Sequence, residues 1–406
     1  MQQNNKQNKR RTSVFSRALD EFRMHAYEEN LSRGARVDAG VDRIMLVVIL
    51  LLLCLGTIMV FSASYADALS RHGDSYYYIK QQLKFLVFGL LLFAGLQKID
   101  FSLFRYLPFV LYPLSIGLLG AVLVMGNAEG VARRWIRIGP VNFQPSELAK
   151  LTLVITLAWY MAKFREKITD YRHKRVSFVY GFLYPMILLG IIVVLVALEH
   201  HLSGVVILGL IGIAMIFLGG TSILWISIMG GIGMAGVAAI VLFTDYTQAR
   251  IDAWLHPEND LLGSGWQTMQ GLRAIGSGGL FGLGLGNSRL KYSYVSEPQN
   301  DFIFTIWCEE LGFIGAVALV ALFGVFIWRG YVIAMRAPDM FSSLVAIGIT
   351  TRIAIQVLLN ILVVTALIPN TGIALPFFSY GGSSMVMLMI EMGILMSISR
   401  CSVQRR

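Results

Sequence analysis

The chain has 406 residues, of which 56% are hydrophobic and only 14% are charged. Soluble domains carry roughly 25% charged residues, so this composition excludes an ordinary soluble protein and predicts an integral membrane protein. A net charge of +10 would suggest nucleic-acid binding in a soluble chain. Cytoplasmic loops of membrane proteins collect Lys and Arg, however, so no nucleic-acid partner is predicted. The three cysteines lack paired spacing and predict neither a disulfide framework nor a zinc site.

Long apolar runs dominate the chain between two basic tails, residues 1–43 and residues 400–406. Residues 44–399 contain ten runs that are long enough, or nearly long enough, to cross a bilayer. These runs lie near 44–63, 82–97, 107–126, 147–163, 177–198, 203–219, 222–243, 302–329, 341–366 and 378–399. The pattern predicts an all-α polytopic membrane protein with about ten transmembrane helices. A large loop, residues 244–301, separates the seventh span from the eighth.

The distribution of Lys and Arg predicts the orientation of these spans. Segments on the side of the N-terminal tail hold more than twice as many Lys and Arg as segments on the opposite side. The positive-inside rule therefore places both tails in the cytoplasm and the 244–301 loop outside. We expect a multi-pass protein of the cytoplasmic membrane whose largest loop is extracellular.

Basic residues on the predicted outer side are exceptions to this bias. Arg133, Arg134 and Arg137 lie close together in the loop between the third and fourth spans. Most of the other outer basic residues, including Arg250, lie in the large loop. A cluster of cations on this side favours an anionic ligand. The alternative is that short loops simply tolerate a few charges.

Four charged residues lie centrally in the predicted spans, Glu147, Lys150, Arg352 and Glu391, while Glu309 and Glu310 lie near the outer end of the eighth span. A charge at the membrane centre costs about 2.5–3.5 kcal/mol on insertion scales, so each of the four needs a partner or a polar cavity. Glu147 and Lys150 are three residues apart and face each other on one helix. They form either a structural ion pair or part of a cavity that opens to the outside. Arg352 and Glu391 would pair between the last two spans.

The motifs for nucleotide binding are absent from the sequence. No Walker-type phosphate loop occurs, and the glycine-rich run from Gly276 to Gly286 follows no strand and lacks the dinucleotide spacing. ATP and NAD are therefore not implied. These glycines instead indicate a loop that bends and lies flat against the membrane helices.

An enzyme that faces outside, where nucleotides are scarce, needs a substrate with its own leaving group. A lipid-linked pyrophosphate sugar meets this need, and its transfer requires one general base and cations that hold the phosphates. Asp301, at the entrance of the eighth span, suits the role of the base. The alternative role of Asp301 is to cap that helix with its carboxylate. The cations would come from Arg133, Arg134, Arg137, Arg250, Arg273 and Lys291, with Lys150 below them.

Several ordered motifs resemble those of one membrane protein family. Arg134-Trp135-Ile136, followed by Gln144-Pro145-Ser146-Glu147 and Lys150, is similar to the fourth-span signature of the SEDS family (shape, elongation, division and sporulation). Residues 263–286 resemble its large outer loop, residues 297–312 its eighth-span signature, and residues 369–384 its last outer loop and tenth span. The likeness extends over roughly residues 40–400 and is greater to division and sporulation members than to rod-shape members.

This resemblance implies a peptidoglycan glycosyltransferase that polymerises lipid II on the outer face of the cytoplasmic membrane, for cell division or sporulation. It implies a class B penicillin-binding protein as partner, within a division or elongation complex, and Asp301 as the catalytic residue. Glu147 and Lys150 would line the substrate cavity. The expected substrate-binding residues are Arg133, Arg134, Arg137, Glu147, Lys150, Arg250, Gln267, Arg273, Lys291, Glu297 and Ser383. No metal ligands are assigned, and the one cofactor considered is a divalent cation such as Mg²⁺.

Two other functions remain open at the level of sequence: a lipid II flippase, and a non-catalytic scaffold for the penicillin-binding protein. The chain also departs from the family pattern after the fifth span, where a Gln/Glu-Pro-Asp-Leu-Gly motif is usual. Here the chain reads Glu199-His200-His201-Leu202-Ser203. This change puts the role of the acid at that position in doubt.

Overall fold

The computed structural model describes residues 40–129, 132–138, 141–170, 173–259, 263–292 and 298–401. Its longer helices are α1 Arg43–His72, α2 Tyr77–Leu96, α3 Pro108–Met125, α4 Pro145–Lys163, α5 Lys174–Leu198, α6 Leu202–Leu218, α7 Ile223–Phe243, α8 Asp245–Leu255, α9 Ser264–Ser277, α10 Ile303–Met335, α11 Met340–Val364 and α12 Gly382–Arg400. The N-terminal tail before residue 40, the end of the chain after residue 401, and Glu297 lie outside the described residues.

Each of the ten predicted spans coincides with a helix, so the all-α polytopic fold is confirmed. Seven of these helices are long and apolar enough to cross a membrane. Two more, α6 with 17 residues and α7 with 21, are also apolar. The tenth, α4, carries Glu147 and Lys150 in its first turns. The chain is therefore a multi-pass membrane protein.

Two ion pairs between helix ends identify one side of the bundle. Asp42 at the start of α1 pairs with Arg329 near the end of α10, and Arg105 before α3 pairs with Asp339 before α11. We call this side the tail face, because it carries the Arg43 end of α1. The opposite side is called the loop face, because it carries residues 244–302 between α7 and α10.

The centre of the bundle is formed by α4, α11 and α12. From Pro145 to Met161 almost every residue of α4 is buried, and α11 and α12 are mostly buried as well. The helices α3, α6 and α11 pack around α4, while α2 packs along α12 and α10 packs along α11. The helices α1, α2 and α3 are less buried than α11 and α12 and form part of the lipid-facing perimeter.

A small antiparallel sheet, which the sequence did not predict, lies between α3 and α4. Strand β2 (Ala132–Ile138) pairs with β1 (Asn127–Glu129) on one side and with β3 (Val141–Phe143) on the other. The sheet leads directly into Pro145, which occupies the first turn of α4, where its missing N–H group costs no helical hydrogen bond. The three strands therefore form a cover on the loop face above α4.

The large loop contains two helices, α8 and α9, which the sequence did not predict. The glycine-rich segment that follows α9 lies against a break in α10, where Gly312 adopts φ 67° and ψ −167°. Phe313 and Ile314 donate backbone hydrogen bonds to Gly279 and Leu280 at 2.8 and 3.2 Å. Two further bonds run from residues 283 and 284 to the carbonyls of residues 309 and 310. The expected loop lying flat against a membrane helix is thus confirmed.

Candidate active site

Asp301 lies on the loop face, one residue before the N-cap of α10. The N-cap position belongs to Phe302, whose side chain makes no capping hydrogen bond. The Asp301 side chain is partly buried, and its Oδ2 lies 3.5 Å from the place where a Cβ on Gly372 would stand. Gly372 has φ 69°, a conformation that favours glycine over residues with a side chain. The Asp301 carboxylate therefore lies beside main-chain atoms and not beside a side chain at this position.

Hydrogen bonds join the Asp301 segment to the loop between α11 and α12. Ser379 Oγ donates to the carbonyl of Asn300 at 2.6 Å, and the Tyr380 N–H donates to the carbonyl of Gln299 at 2.8 Å. These two bonds hold the consecutive carbonyls of residues 299 and 300 against the loop between α11 and α12. Residues 299–301 and the 370–380 loop are therefore packed together as one unit.

Polar side chains on one face of α11 form hydrogen bonds to this unit. Arg352, Gln356 and Asn360 are spaced four residues apart, so they share one face of the helix, and all three are buried. Gln356 Nε2 donates to the carbonyl of Ala374 at 2.9 Å. Asn360 Nδ2 donates to the carbonyl of Asp301 at 2.8 Å and to that of Ile373 at 2.6 Å. The Asn360 amide therefore fixes the two segments on either side of the Asp301 carboxylate.

Two predicted substrate-binding residues meet at the same loop. Arg250 on α8 donates through Nη1 to the carbonyl of Asn370 at 2.8 Å. The side chain of Asn370 donates to Gln267 Oε1 on α9 at 3.2 Å and accepts a bond from the N–H of Gly372. Arg250 and Gln267 are thereby brought next to the glycine that faces Asp301.

The intramembrane charges form one buried network. Lys150 Nζ lies 2.7 Å from Glu147 Oε1, and Arg352 Nη2 lies 3.3 Å from Glu147 Oε2. The second amino group of Arg352 pairs with Glu391. Both predicted pairings are therefore confirmed, and Arg352 links them. A cavity beside Glu147 and Arg352 has about 30 Å³, which is the space of a single water molecule.

The other arginines among the predicted cations lie on β2 and α9 in the described structure. Arg134 Nη2 donates to the carbonyl of His200 at 2.9 Å, which ties β2 to the turn between α5 and α6. Arg137 and Arg273 are exposed on the loop face. Arg133 belongs to β2, but its side chain lies outside the described part of the chain.

Lys291 occupies a different place from the one its predicted role requires. Its side chain is 3% exposed, and Nζ contacts Glu310 Oε1 at 3.2 Å and the Gly286 carbonyl at 2.7 Å. Ser62 on α1 donates to the same Glu310 carboxylate at 2.6 Å. The charge of Lys291 is thus neutralised inside the protein, where it holds the glycine-rich segment against α1 and α10.

Ser383 at the start of α12 leads to a groove that the sequence did not reveal. Its hydroxyl donates to the carbonyl of Asn142 at 2.7 Å and so links α12 to β3. Beside it, a cavity of about 610 Å³ runs between α2 and α12. Its lining is mostly apolar and includes Phe85, Phe88 and Met387, with Lys84 and Gln81 as polar members. Since the groove depends on which helices are neighbours, no local sequence signal predicts it.

The altered family motif forms a buried polar turn beside Arg134. Glu199 is 1% exposed, and neither of its carboxylate oxygens has a hydrogen-bond partner among the described residues. Burial raises the pKa of Glu199 to about 8, while Arg134 opposes that rise. Burial likewise lowers the pKa of His201 to about 3. Burial therefore favours the neutral forms of Glu199 and His201.

Comparisons with known proteins agree with this architecture. Residues 42–404 match the family of cell cycle proteins that comprises FtsW, RodA and SpoVE. Stage V sporulation protein E of Bacillus subtilis is 41% identical over 364 residues, which span 89% of this chain and 97% of that protein. The probable peptidoglycan glycosyltransferase FtsW of Geobacter sulfurreducens is 35% identical over 91% of this chain and 98% of its own length.

Solved structures give the same result for the fold. A chain of a peptidoglycan synthase complex that coordinates polymerization and crosslinking superposes with a TM-score of 0.72 at 26% identity, over 89% of this chain and 98% of that one. The rod shape determining protein RodA of Thermus thermophilus superposes with a TM-score of 0.66 at 27% identity, over 90% of this chain and 99% of its own. This chain therefore has a RodA-like fold and belongs to the FtsW/RodA/SpoVE family, which is the SEDS family.

Proposed function

We propose that this chain is a peptidoglycan glycosyltransferase that polymerises lipid II on the outer face of the cytoplasmic membrane. The observation that carries the proposal is the position of Asp301, a partly buried carboxylate held against the exposed backbone of Gly372 on the loop face. Arg250 binds the same loop two residues away. A carboxylate beside an accessible surface and a nearby cation are the groups that a sugar transfer from a pyrophosphate requires.

In this mechanism Asp301 accepts the proton of the acceptor sugar's hydroxyl as that oxygen attacks the anomeric carbon of the donor. The bond from the anomeric carbon to the pyrophosphate oxygen breaks, and undecaprenyl pyrophosphate leaves with the bonding electrons. One displacement without a protein nucleophile inverts the anomeric configuration. Arg250 and the exposed Arg137 and Arg273 would stabilise the negative charge that develops on the leaving phosphates.

The groove between α2 and α12 suits the lipid part of such a substrate. Its 610 Å³ lie along two membrane-spanning helices, and its walls carry Phe85, Phe88 and Met387. Ser383 and Lys84 would meet the phosphate end of the chain, because both are near the loop-face ends of their helices. We propose that the prenyl chain occupies this groove while the sugars extend toward Asp301.

The buried charges have a supporting role in this proposal. Glu147, Lys150, Arg352 and Glu391 neutralise one another below the site, so their separation would expose uncompensated charge in the membrane. We propose that they hold α4, α11 and α12 in fixed positions, with Lys150 nearest to the substrate. Within the described ranges, no three His, Cys, Asp or Glu side chains are grouped closely enough to hold a metal ion.

The partner in this proposal is a class B penicillin-binding protein, which would crosslink the strands that this chain makes. The related chain in the peptidoglycan synthase complex supports such an assembly. We further propose that residues 1–43 and 400–406 are cytoplasmic tails, that residues 44–399 form the catalytic membrane domain, and that residues 244–301 are extracellular. Labelling of single introduced cysteines in intact cells, with one thiol reagent that crosses the membrane and one that does not, tests that orientation.

The decisive experiment is polymerisation of lipid II by the purified full-length protein together with its penicillin-binding partner. Asp301→Ala is expected to abolish glycan synthesis while the complex still assembles. Asp252→Ala is the matched control, because it removes an exposed carboxylate from α8 of the same loop and is expected to leave synthesis unchanged. Full activity of Asp301→Ala would refute the assignment of the base.

The same preparation separates the two other functions. A flippase would move lipid II across liposome membranes without forming polymer, and Asp301→Ala would not be expected to alter the product pattern. A scaffold would tolerate Asp301→Ala in cells as long as the partner is still bound. The buried ion network below Asp301 favours a site that is open to one face, which fits the transferase better than the flippase.

A further inference from the structure

A second large cavity lies far from the site described above, near the tail face. It has about 550 Å³ and is enclosed by the Pro108 end of α3, the Lys163 end of α4 and the first turns of α5. Ligand pockets in proteins commonly have roughly 300–1000 Å³, so this space is large enough for a small molecule or part of a lipid. Its lining residues are Pro108, Phe109, Tyr112, Pro113, Thr156, Trp159, Tyr160, Phe164, Tyr180, Tyr184, Ile187 and Leu188.

The walls of this tail-face cavity are aromatic and apolar. Two tyrosine hydroxyls in the walls already have partners: Tyr112 donates to the carbonyl of Leu188, and Tyr160 donates to the carbonyl of Tyr180, each at 2.9 Å. The hydroxyl of Thr156 is buried, lines the cavity and has no partner among the described residues. Hydrocarbon is therefore the chemistry that the interior accommodates.

Irregular backbone on two sides keeps the cavity open. Pro113 lies inside α3, where it removes one helical hydrogen bond, and residues Val179–Leu183 form a π-helical turn in α5. Both features disturb the regular surface by which neighbouring helices pack against each other. The space is thus built into the main chain, and a change of side-chain rotamers would not close it.

Two lysines lie at the mouth of the cavity. Lys163 Nζ is 4.6 Å from the ring centroid of Trp159, and Lys167 Nζ is 4.5 Å from that of Tyr180 and donates to its hydroxyl at 3.2 Å. Both ammonium groups also lie over Phe164, at 5.5 and 5.7 Å. The three rings line the cavity, while the lysine side chains are exposed on the tail face. Positive charge therefore meets the apolar space at the depth of the lipid headgroups.

We propose that the tail-face cavity binds an anionic phospholipid, with an acyl chain inside and the phosphate on Lys163 and Lys167. The aromatic walls match the hydrocarbon, and the two ammonium groups match the headgroup charge. Basic pockets between transmembrane helices on the cytoplasmic side of a membrane, which is where we propose that the tail face lies, recognise anionic headgroups in this way. The site is separate from Asp301 and does not depend on the proposed polymerase activity.

The test uses full-length protein in nanodiscs whose lipid is either phosphatidylcholine alone or a mixture with phosphatidylglycerol that carries brominated chains. Trp159 lines the cavity, so brominated phosphatidylglycerol is expected to quench its fluorescence, which is obtained as the difference between the wild type and Trp159→Phe. Brominated phosphatidylcholine at the same fraction is expected to quench it less. Equal quenching by both lipids would show an ordinary annular contact and would overturn the proposal.

Charge variants provide the second measurement. Each basic residue near an anionic headgroup contributes a factor of about five in affinity, so Lys163→Gln with Lys167→Gln is expected to weaken phosphatidylglycerol binding by about 25-fold. The matched control, Lys174→Gln with Arg175→Gln, removes two exposed charges from the same face but none from the cavity mouth. It is expected to retain binding within about twofold of the wild type. Equal losses in the two double variants would reduce the effect to general surface charge and refute the site.

Discussion

Asn360→Ala is the substitution that tests most directly how the structure holds Asp301. The Asn360 side chain is fully buried and donates both of its amide hydrogens to carbonyls, at 2.8 Å to Asp301 and at 2.6 Å to Ile373. Because both partners are acceptors, the side-chain nitrogen must lie on this side, and no other orientation of the amide satisfies them. The substitution therefore leaves two carbonyls without their donor.

The size of the effect follows from these two bonds. A buried carbonyl that loses its partner costs about 1–3 kcal/mol, so Asn360→Ala is expected to destabilise the protein by about 2–6 kcal/mol. The larger consequence is for catalysis, because Asp301 and Gly372 are no longer tied to one support. A displacement of about 1 Å in a reacting group lowers turnover by up to about 100-fold. We expect kcat to fall by about 10- to 100-fold with little change in KM for lipid II.

The assay is polymerisation of lipid II by the protein with its partner, normalised to the folded fraction measured by thermal unfolding. Ser397→Ala is the matched control, because it also removes a buried donor, in this case to the carbonyl of Ile99 at 2.6 Å on the tail face. It is expected to reduce stability but to leave kcat unchanged. Asn360→Gln keeps the donor amide at a shifted position and is expected to recover stability more than turnover.

Two results would refute this reasoning. The first is wild-type kcat in folded Asn360→Ala, which would show that Asp301 does not need this support. The second is the same fall in kcat for Ser397→Ala, which would trace the loss to stability alone. Neither result bears on whether Asp301 is the base, since that depends on Asp301→Ala.

Three further predictions concern stability and are measured by thermal unfolding in detergent. The pKa of Glu199 is raised from 4.5 to about 8, so the stability of the wild type relative to that of Glu199→Gln is expected to fall as pH rises through that interval; parallel profiles for both proteins would contradict this. Gly312→Ala places a Cβ 2.4 Å from a facing backbone nitrogen at φ 67°, and it is expected to cost more than about 1 kcal/mol, whereas Gly324→Ala, with nothing within 4 Å, is expected to be tolerated. Lys291→Met leaves Glu310 buried without its cation and is expected to cost about 3–5 kcal/mol, and adding Glu310→Gln is expected to restore most of the loss.

The spans were predictable from sequence because hydrophobic length alone identifies a membrane helix. Their ends were less predictable, since polar residues extend helices beyond the apolar run. The first span was predicted to end near residue 63, yet α1 continues to His72. The continuation adds two turns and stops at Gly73, whose φ of 67° ends the helix in a left-handed cap. Hydropathy carries no information about such an extension outside the bilayer.

The ion pairs of the candidate site were predictable where the two charged residues are close in sequence. Glu147 and Lys150 are one turn apart on α4, and their pairing followed from that spacing. The role of Asn360 did not, because it is 59 residues from Asp301 in sequence and uncharged. Lys291 was misleading for a related reason: its partner Glu310 belongs to another element, so the sequence could not show that its charge is already used.

The pairing between the glycine-rich segment and the break in α10 limits how the loop face moves during turnover. Four main-chain bonds, 2.8 to 3.2 Å long, join residues 279–284 to residues 309–314. Peeling this segment away would break all four bonds and leave their donors and acceptors without these partners. The segment therefore behaves as a fixed rim and not as an opening flap. We expect any shift of the loop face beside Asp301 to involve α8 and α9, whose side chains contact Asn370.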